Sequence, residues 1–211
     1  VTGNIYTGDR EERIKVINAL TMADVSDFKV KDDGTFTVSL KRPVTIETNR
    51  AIDAWAQSDL YLASDKKVTV KSVISDAGEA RLIGNNGIVG DTGATHLVQG
   101  KTIILRGGIG ELTGLDVVTA QDNTGWAAIS AGGNIDISAP NNLILYALAG
   151  GSRVHITAEN MYSYEGTEQD ISSEYKDFSS FGILQGPDLN FRISESFGTA
   201  DTPLRVAANS V

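Results

Sequence analysis

The sequence predicts an all-β fold built from many short strands, and two observations carry that prediction. Short runs alternate between apolar and polar residues at period two, as in residues 35–40 and 134–137. Such alternation is typical of strands with one buried face. The runs also follow one another closely, since Val68 comes eight positions after Leu60. Strands spaced by roughly 8 to 12 residues fit a sandwich, a barrel or a β-solenoid.

A third observation, the recurrence of similar phrases, favours the solenoid among these three architectures. The phrase Leu-Arg-Gly-Gly-Ile-Gly at 105–110 is followed by Leu-Asp-Val at 115–117. A related phrase at 193–198 is followed by Leu-Arg-Val at 204–206. Imperfect self-similarity is typical of stacked coils, because each coil buries its apolar face only against its neighbours. We therefore expect a stack of short coils.

The elements are expected in the following order along the chain. Residues 1–30 are irregular and would form a partial coil or an edge, and the helical pattern at 11–20 is weak. Strands are then expected at 35–40, 59–62, 67–71, 134–137, 142–145 and 153–156. Glycine and asparagine tolerate positive φ, and asparagine can also stack along the axis of a fibre. They predict corners at 85–87, 107–110, 132–134 and 141–142.

A polar, acidic stretch at 165–177 interrupts the alternation, and we expect it to leave the coil as a loop excursion. It lacks the Asp-x-Asp-x-Asp-Gly order of a calcium loop, which favours a solvated loop over a metal site. Aromatic residues flank it, among them Tyr162, Tyr164, Tyr175 and Phe178. These four are candidate binding residues, because aromatic side chains supply contact area at low entropic cost. The alternative is that they pack the loop onto the wall of the solenoid.

Composition excludes several classes of partner and site. The net charge is −9 and no run of Lys or Arg offsets it, so nucleic acid and anionic membrane surfaces are disfavoured. No apolar stretch long enough to span a bilayer is present, so no membrane insertion is expected. The chain has no cysteine, which excludes disulfides, thiolate metal sites and cysteine nucleophiles. An acidic surface is compatible with an abundant extracellular protein.

Residues that could carry catalysis are few. His155 alternates with apolar neighbours and should face solvent, and His96 lies in a Thr- and Gly-rich turn. Metal binding by either would need further ligands nearby. Asp116, Asp136 and Arg153 fall on adjacent predicted strands, and a glycosidase needs two carboxyl groups about 5–10 Å apart across a groove. The sequence does not place these groups on one face, so we expect no catalytic site, no metal and no cofactor.

Three phrases resemble the repeats of filamentous-haemagglutinin-like exoproteins, and more narrowly those of leukotoxin-family filamentous adhesins. The phrases are LRGGIGELTGLDVV at 105–118, AISAGGNIDISAPNNLIL at 128–145 and SESFGTADTPLRVAANSV at 194–211. The resemblance extends from residue 81 to residue 211. The last phrase departs from the pattern, because Glu195 and Ser196 stand where glycines are usual.

The resemblance implies a right-handed parallel β-helix, with residues 1–211 as one solenoid segment of a larger exoprotein. It implies export through an outer-membrane secretion pore by two-partner secretion, and a secreted or bacterial cell-surface location. The segment would then be non-catalytic, an elongated stalk that presents loops to a host-cell receptor or glycan.

Two alternatives remain open. Parallel β-helices also include polysaccharide lyases and hydrolases, so the chain could be a carbohydrate-active enzyme, which a cluster of carboxylates on one groove face would favour. It could also be a structural spacer without a partner, which a lack of ligands around 162–181 would favour.

Overall fold

The fold is described by a computed structural model for residues 51–56, 59–92, 96–119, 125–164, 183–199 and 203–210, and for five N-terminal strands. These residues form strands and turns, with no helix among them. Most of the strands pair in parallel and form a β-solenoid of about six turns. The parallel β-helix predicted from the sequence is therefore confirmed.

The described residues contain eighteen strands, the shortest β1 and the longest β15. The N-terminal strands are β1 (Ile5–Tyr6), β2 (Arg13–Val16), β3 (Val25–Val30), β4 (Phe36–Leu40) and β5 (Val44–Glu47). The next seven are β6 (Ile52–Ala56), β7 (Leu60–Ser64), β8 (Val68–Ser75), β9 (Glu79–Gly84), β10 (Ile88–Gly90), β11 (Leu97–Gly100) and β12 (Thr102–Arg106). The last six are β13 (Leu112–Thr119), β14 (Trp126–Ala131), β15 (Ile135–Gly150), β16 (Arg153–Ser163), β17 (Ile183–Phe197) and β18 (Arg205–Ser210).

Two ladders of parallel strands run along the solenoid, and we call them wall A and wall B. Wall A contains β6, β8, β10, β11, β13, the first part of β15, β16 and the second part of β17. Wall B contains β5, β7, β9, β12, β14, the last part of β15, the first part of β17 and β18. The strands β15 and β17 belong to both walls because each continues through a corner.

The length of each coil can be followed along wall B. The residues that lie above one another in register are Leu62, Leu82, Leu105, Ile129, Leu148, Leu184 and Val206. Most of the coils between them are similar in length, at roughly 20 residues or slightly more, which is a period typical of solenoid proteins. The coil from Leu148 to Leu184 is longer than any of the others. It includes the excursion predicted at 165–177, which lies outside the described residues.

The core lies between the two walls and is formed by every second side chain. In β7, Leu60, Leu62 and Ser64 are buried, while Tyr61 and Ala63 between them are partly exposed. The same alternation stacks a fully buried aliphatic side chain in each of the central tiers. Each buried Leu or Ile stabilises the fold by about 1.5–3 kcal/mol through removal of its apolar surface from water. This repeated burial is what holds the coils together.

Glycine forms the corner from wall B to wall A because successive corners stack backbone on backbone. The Ile109 N–H donates to the Asn85 carbonyl at 3.0 Å, and the Gly132 N–H donates to the Gly108 carbonyl at 2.7 Å. Gly108 has φ +57°, and a Cβ on it would lie 2.2 Å from the Asn85 carbonyl oxygen. The corners predicted at 85–87, 107–110 and 132–134 are present as turns or bends.

The remaining predicted corner, at 141–142, lies where β15 passes from wall A to wall B, and the chain keeps strand pairing through it. Asn141 and Asn142 lie inside the continuous strand β15, where the register to β16 shifts between Ala139 and Asn142. A shift of this kind is a β-bulge, which bends a strand without ending it. The two strands predicted at 134–137 and 142–145 are therefore parts of one element.

The N-terminal strands differ from the rest because β1 to β4 pair only antiparallel, whereas β5 also pairs in parallel with β7. β1 pairs with β2, β2 pairs with β5, and β3 pairs with β4 in a separate two-stranded sheet. The weak helical pattern at 11–20 is wrong for Arg13–Val16, which form β2. The strand predicted at 35–40 is present as β4, but it lies outside both walls. Three strands also lie within residues 1–30, where the sequence indicated no regular structure.

The recurring phrases do not occupy equivalent positions in the coil. Leu105 lies in wall B and Leu115 in wall A, whereas Ile193 lies in wall A and Val206 in wall B. The two phrases are therefore offset by half a coil. They recur because both encode a strand, a corner and a second strand, and not because they repeat at the coil period.

Candidate functional site: the outer surface of wall A

The outer surface of wall A carries two rows of mainly polar side chains, because alternate residues of each strand point away from the core. Row 1 joins residues that pair in register from strand to strand: Asp53, Ser72, Leu97, Asp116, Ser138, Thr157 and Arg192. Row 2 precedes row 1 on β13, β15, β16 and β17 and contains Thr113, Asp136, His155 and Asn190. Neighbouring members of a row are separated by the spacing of strands, about 4.8 Å.

Row 1 contains two pairs in which a serine hydroxyl donates to the aspartate of the preceding tier. Ser72 Oγ donates to Asp53 Oδ1 at 2.5 Å, and Ser138 Oγ donates to Asp116 Oδ1. Lys71 Nζ also donates to Asp53 Oδ2 at 2.7 Å. Partial burial acts to raise the pKa of Asp53, but the hydrogen bonds from Lys71 and Ser72 outweigh it and the net pKa is lowered. The hydrogen bond to Asp53 in turn raises the pKa of Lys71.

His96 lies beside Asp116, which the sequence did not predict. His96 Nε2 is 3.8 Å from Asp116 Oδ2, and its Nδ1 is buried without a hydrogen-bond partner among the described residues. Serine, aspartate and histidine therefore meet here, but the carboxylate of Asp116 stands between Ser138 and the imidazole. A serine nucleophile needs a base in contact with its hydroxyl and a third group orienting that base. This order does not activate Ser138 as a nucleophile.

The second candidate carboxylate, Asp136, lies on the same outer surface as Asp116. Asp136 is opposite His155 in register, and Asp116 is opposite Ser138, two positions further along β15. One strand spacing and the rise over two positions place the two aspartates about 8 Å apart along the sheet. His155 faces outward between the buried Val154 and Ile156, as the alternation predicted. Its Nε2 is 3.5 Å from Thr157 Oγ1.

Arg153 lies apart from these aspartates. It is exposed at the beginning of β16, opposite Asp188 of β17 and two positions before His155. The three residues that the sequence placed on adjacent strands therefore share one wall, but Arg153 lies outside rows 1 and 2.

A shallow crease of about 350 Å³ runs across β15, β16 and β17 on wall A. It lies where these strands bend, because the register shifts between Ala139 and Asn142 and again between Ala158 and Asn160. Bulges redirect side chains and often occur next to functional sites. The residues that line the crease are Ser138, Ala139, Pro140, Thr157, Ala158, Glu159, Arg192 and Ser194.

The crease combines hydroxyl and charged groups with the exposed apolar side chain of Pro140. Ala139 and Ala158 lie beneath it with their side chains in the core, whereas Arg192 and Ser194 are exposed. Neither Glu159 nor Arg192 makes a side-chain hydrogen bond or an ion pair with another described residue. This site could not be predicted from the sequence because its geometry depends on two bulges. The alternation of inward and outward residues along the strands could have indicated only that Thr157 and Arg192 point away from the core.

Asparagines support the bent strands just beyond the crease. The Asn160 amide donates to Asn142 Oδ1 at 3.0 Å and to Glu195 Oε2 at 3.3 Å. Asn160 is only 8% exposed, so these bonds satisfy a buried polar group. The stacking of asparagine along the axis, expected from the sequence, is present at this position.

The aromatic candidates lie away from the crease, beside wall B. Tyr162 and Tyr164 are partly buried and pack against an apolar cluster on the outer side of wall B. The ring of Tyr164 lies 5.9 Å from Trp126 and 6.2 Å from Tyr146 between centroids. Tyr175 and Phe178 lie outside the described residues. Binding by these four aromatic residues stays a prediction.

No group of three or more His, Cys, Asp or Glu side chains within the described part of the chain could hold a metal ion. No helix in that part is long and apolar enough to cross a membrane.

Comparisons with known proteins give no relatives. No family model matches the chain, and no curated protein or solved structure shows a significant match to it.

Proposed function

We propose that the chain is a non-catalytic segment of a large secreted bacterial surface adhesin, in which a rigid solenoid presents its lateral surface for attachment to host cells. The observation that carries the proposal is the continuous stack of coils, whose outer rows stay in register from β6 to β17. Each coil contacts only its neighbours, so the length of a stack is not limited by the size of one closed core. A long stack can therefore extend a protein away from a surface.

The resemblance of the repeats at 105–118, 128–145 and 194–211 to filamentous-haemagglutinin-like exoproteins supports this proposal. Within the family, such segments pass through an outer-membrane secretion pore and act at the cell surface. The crease on wall A supplies a polar contact surface, since Glu159 and Arg192 are not engaged by other described residues.

Binding of the purified chain to epithelial cells and to a glycan panel tests the proposal. A variant lacking 165–177 serves as a second arm, and circular dichroism of both proteins checks that the β-structure is retained. We expect the folded chain to bind in a saturable way. Binding lost in the variant would assign the contact to the excursion, and binding kept would assign it to the walls. A folded chain that binds neither cells nor glycans would contradict the adhesive role and favour a spacer.

One observation favours a second candidate, a carbohydrate-active enzyme. Asp116 and Asp136 share an outer surface at a separation compatible with a pair of glycosidase carboxylates, about 5–9.5 Å. Release of reducing ends from acidic and neutral polysaccharides, measured beside Asp116→Asn and Asp136→Asn, tests it. Activity lost in both variants would establish the enzyme, and the absence of any activity in the unsubstituted chain would contradict it.

A further inference from the structure

We propose that the crease on wall A binds a single acidic sugar residue, whose carboxylate is held by Arg192. The inference rests on the proposed function, because it names the ligand class of the lateral surface that would make the attachment. It follows from the charges, the hydroxyl groups and the size of the crease.

The charges indicate one anionic group on the ligand. Arg192 is the single cation among the residues that line the crease, and Glu159 is the single anion. A guanidinium group binds a carboxylate through two parallel hydrogen bonds. The carboxylate of Glu159 on the neighbouring strand would repel a second anion, and the net charge of −9 disfavours long polyanions. The ligand is therefore better described as a single sugar acid than as a sulfated polysaccharide.

The hydroxyl groups indicate that the rest of the ligand is polyhydroxylated. Ser138, Thr157 and Ser194 each carry a hydroxyl that can donate and accept. The Ser138 hydroxyl already donates to Asp116, so towards a ligand it acts as an acceptor. Glu159 can accept from two further hydroxyl groups. This mixture of donors and acceptors matches sugar hydroxyls, which also do both.

The size of the crease and one exposed apolar side chain fit a single sugar ring. The ring of Pro140 is exposed at the crease and can contact the C–H face of a pyranose, whereas the side chains of Ala139 and Ala158 lie in the core. The volume of about 350 Å³ lies near the lower end of ligand pockets, which span about 300–1,000 Å³.

Titration of the ¹⁵N-labelled chain with methyl β-D-glucuronide, followed by amide chemical shifts, tests the proposal. Methyl β-D-glucoside is the matched neutral probe. We expect glucuronide shifts at residues 138–140, 157–159 and 192–194, and an affinity for glucoside about tenfold weaker or more, because a charge-assisted hydrogen bond is lost. We expect Arg192→Gln to weaken glucuronide binding by at least about tenfold for the same reason.

Arg153→Gln is the control, because it removes the same charge from an exposed position of the same wall outside the crease. It should leave glucuronide binding unchanged. Glu159→Gln should increase binding of a sulfated, doubly charged glucuronide, because it removes the carboxylate that repels a second anion. A purely structural role of Glu159 would not give this increase.

Three results would overturn the proposal: equal binding of glucoside and glucuronide, equal losses in the two arginine variants, or no shifts up to the solubility limit of the probe. Failure here is distinguishable from failure of the adhesive role. Cell binding that survives Arg192→Gln contradicts only the sugar assignment, whereas glucuronide binding without cell binding contradicts only the adhesive role.

Discussion

At the scale of single residues, two glycines show that positive φ and lack of space are separate constraints. Gly108 has φ +57° and Gly114 has φ +66°. A Cβ at Gly108 would lie 2.2 Å from the Asn85 carbonyl oxygen, in the coil below. A Cβ at Gly114 would meet its nearest neighbour, Gly90 N, at 3.7 Å, which is ordinary contact. The two positions therefore separate backbone strain from steric exclusion.

We predict that Gly114→Ala destabilises the chain by about 1 kcal/mol, the cost of a left-handed conformation for a residue with a Cβ. Gly108→Ala adds a clash between stacked backbones and should cost about 3 kcal/mol or more. Urea denaturation followed by circular dichroism measures both variants. Equal losses would mean that the corner relaxes and that only φ matters.

The pair of Asp53 and Lys71 predicts a pH dependence. Because the folded state lowers the pKa of Asp53, its contribution is present above the ordinary value of 3.8 and is lost as pH falls through the lowered value. The pKa of Lys71 is raised, so its contribution is lost as pH rises above 10.5. Asp53→Asn should lower Tm by no more than about 2 °C near pH 7, since the pair is exposed to solvent.

This difference in Tm between Asp53→Asn and the unsubstituted chain should shrink as pH falls below 3.8, and it should disappear once the pH is below the lowered pKa of the folded state, where the carboxylate is protonated in both states. Thermal scans from acid to neutral pH measure it. A difference that stays constant down to the lowest pH would show that the substitution acts through packing instead of charge.

Residue-scale prediction from the sequence succeeded where alternation was sufficient. His155 faces outward because Val154 and Ile156 beside it are buried. The approach of His96 to Asp116 could not be predicted, since the two residues are distant in the chain and their contact depends on the register of β11 against β13. Strand register is fixed by the fit of whole faces and not by local sequence.

At the scale of elements, the bulges of β15 and β17 turn a flat wall into a crease. Both strands continue past the register shifts, so the chain bends without losing its ladder. Asn160 lies on β16, between the two bulged strands, at the residue where pairing with both resumes, and it bonds to Asn142 on β15. This bond links β15 and β16 at the point where backbone pairing is interrupted.

We predict that Asn160→Asp destabilises the chain by about 2–3 kcal/mol. The substitution removes the side-chain N–H donor of Asn160, whose hydrogen bonds Asn142 Oδ1 and Glu195 Oε2 accept. It also places a negative charge in a buried position beside these two oxygens. Asn190→Asp is the matched control, because Asn190 is exposed on row 2. It should change stability by less than about 0.5 kcal/mol.

Urea midpoints at pH 7 and pH 4 compare the two aspartate variants. Protonation should restore part of the loss in Asn160→Asp. Similar midpoints for both variants at pH 7 would show that the asparagine bond does not support the bend.

Element-scale prediction from the sequence identified strands of the solenoid but not its period. The short spacing between Leu60 and Val68 measures the step from wall B to wall A, which is less than half a coil. The length of a whole coil appears only when strands are paired, because the core accepts any aliphatic side chain and leaves no strict repeat in the sequence. The crease was missed for a related reason, since its two bulges become visible only as shifts in the pairing.

At the scale of the whole molecule, the two ends of the solenoid differ in burial. Ile52 and Val70 in the first tiers of wall A are fully buried. In the last tiers, Val206 is 40% exposed and Phe197 is 46% exposed. Stability in a stacked protein is approximately a sum over neighbouring tiers, so a tier with one neighbour is less stable than a tier with two.

We predict that amide hydrogen exchange is fastest in β18 and in the second part of β17, and slowest in β12, β14 and β15. The C-terminal strands pair on one side over most of their length, whereas the central strands pair on both sides. Exchange measured by mass spectrometry with peptide resolution tests the gradient. Uniform protection along the stack would mean that the solenoid unfolds as one cooperative unit.

The direction of the ladder hydrogen bonds has a mechanical consequence. Strands lie across the solenoid, so the bonds between tiers point along its axis, and a load applied between the ends opens them one pair at a time. Each coil that detaches would release roughly 70 Å of extended chain, since an extended residue spans about 3.3–3.6 Å. In the attachment role proposed above, such a tether would lengthen coil by coil under load, and each coil released would relieve part of the force at the point of contact.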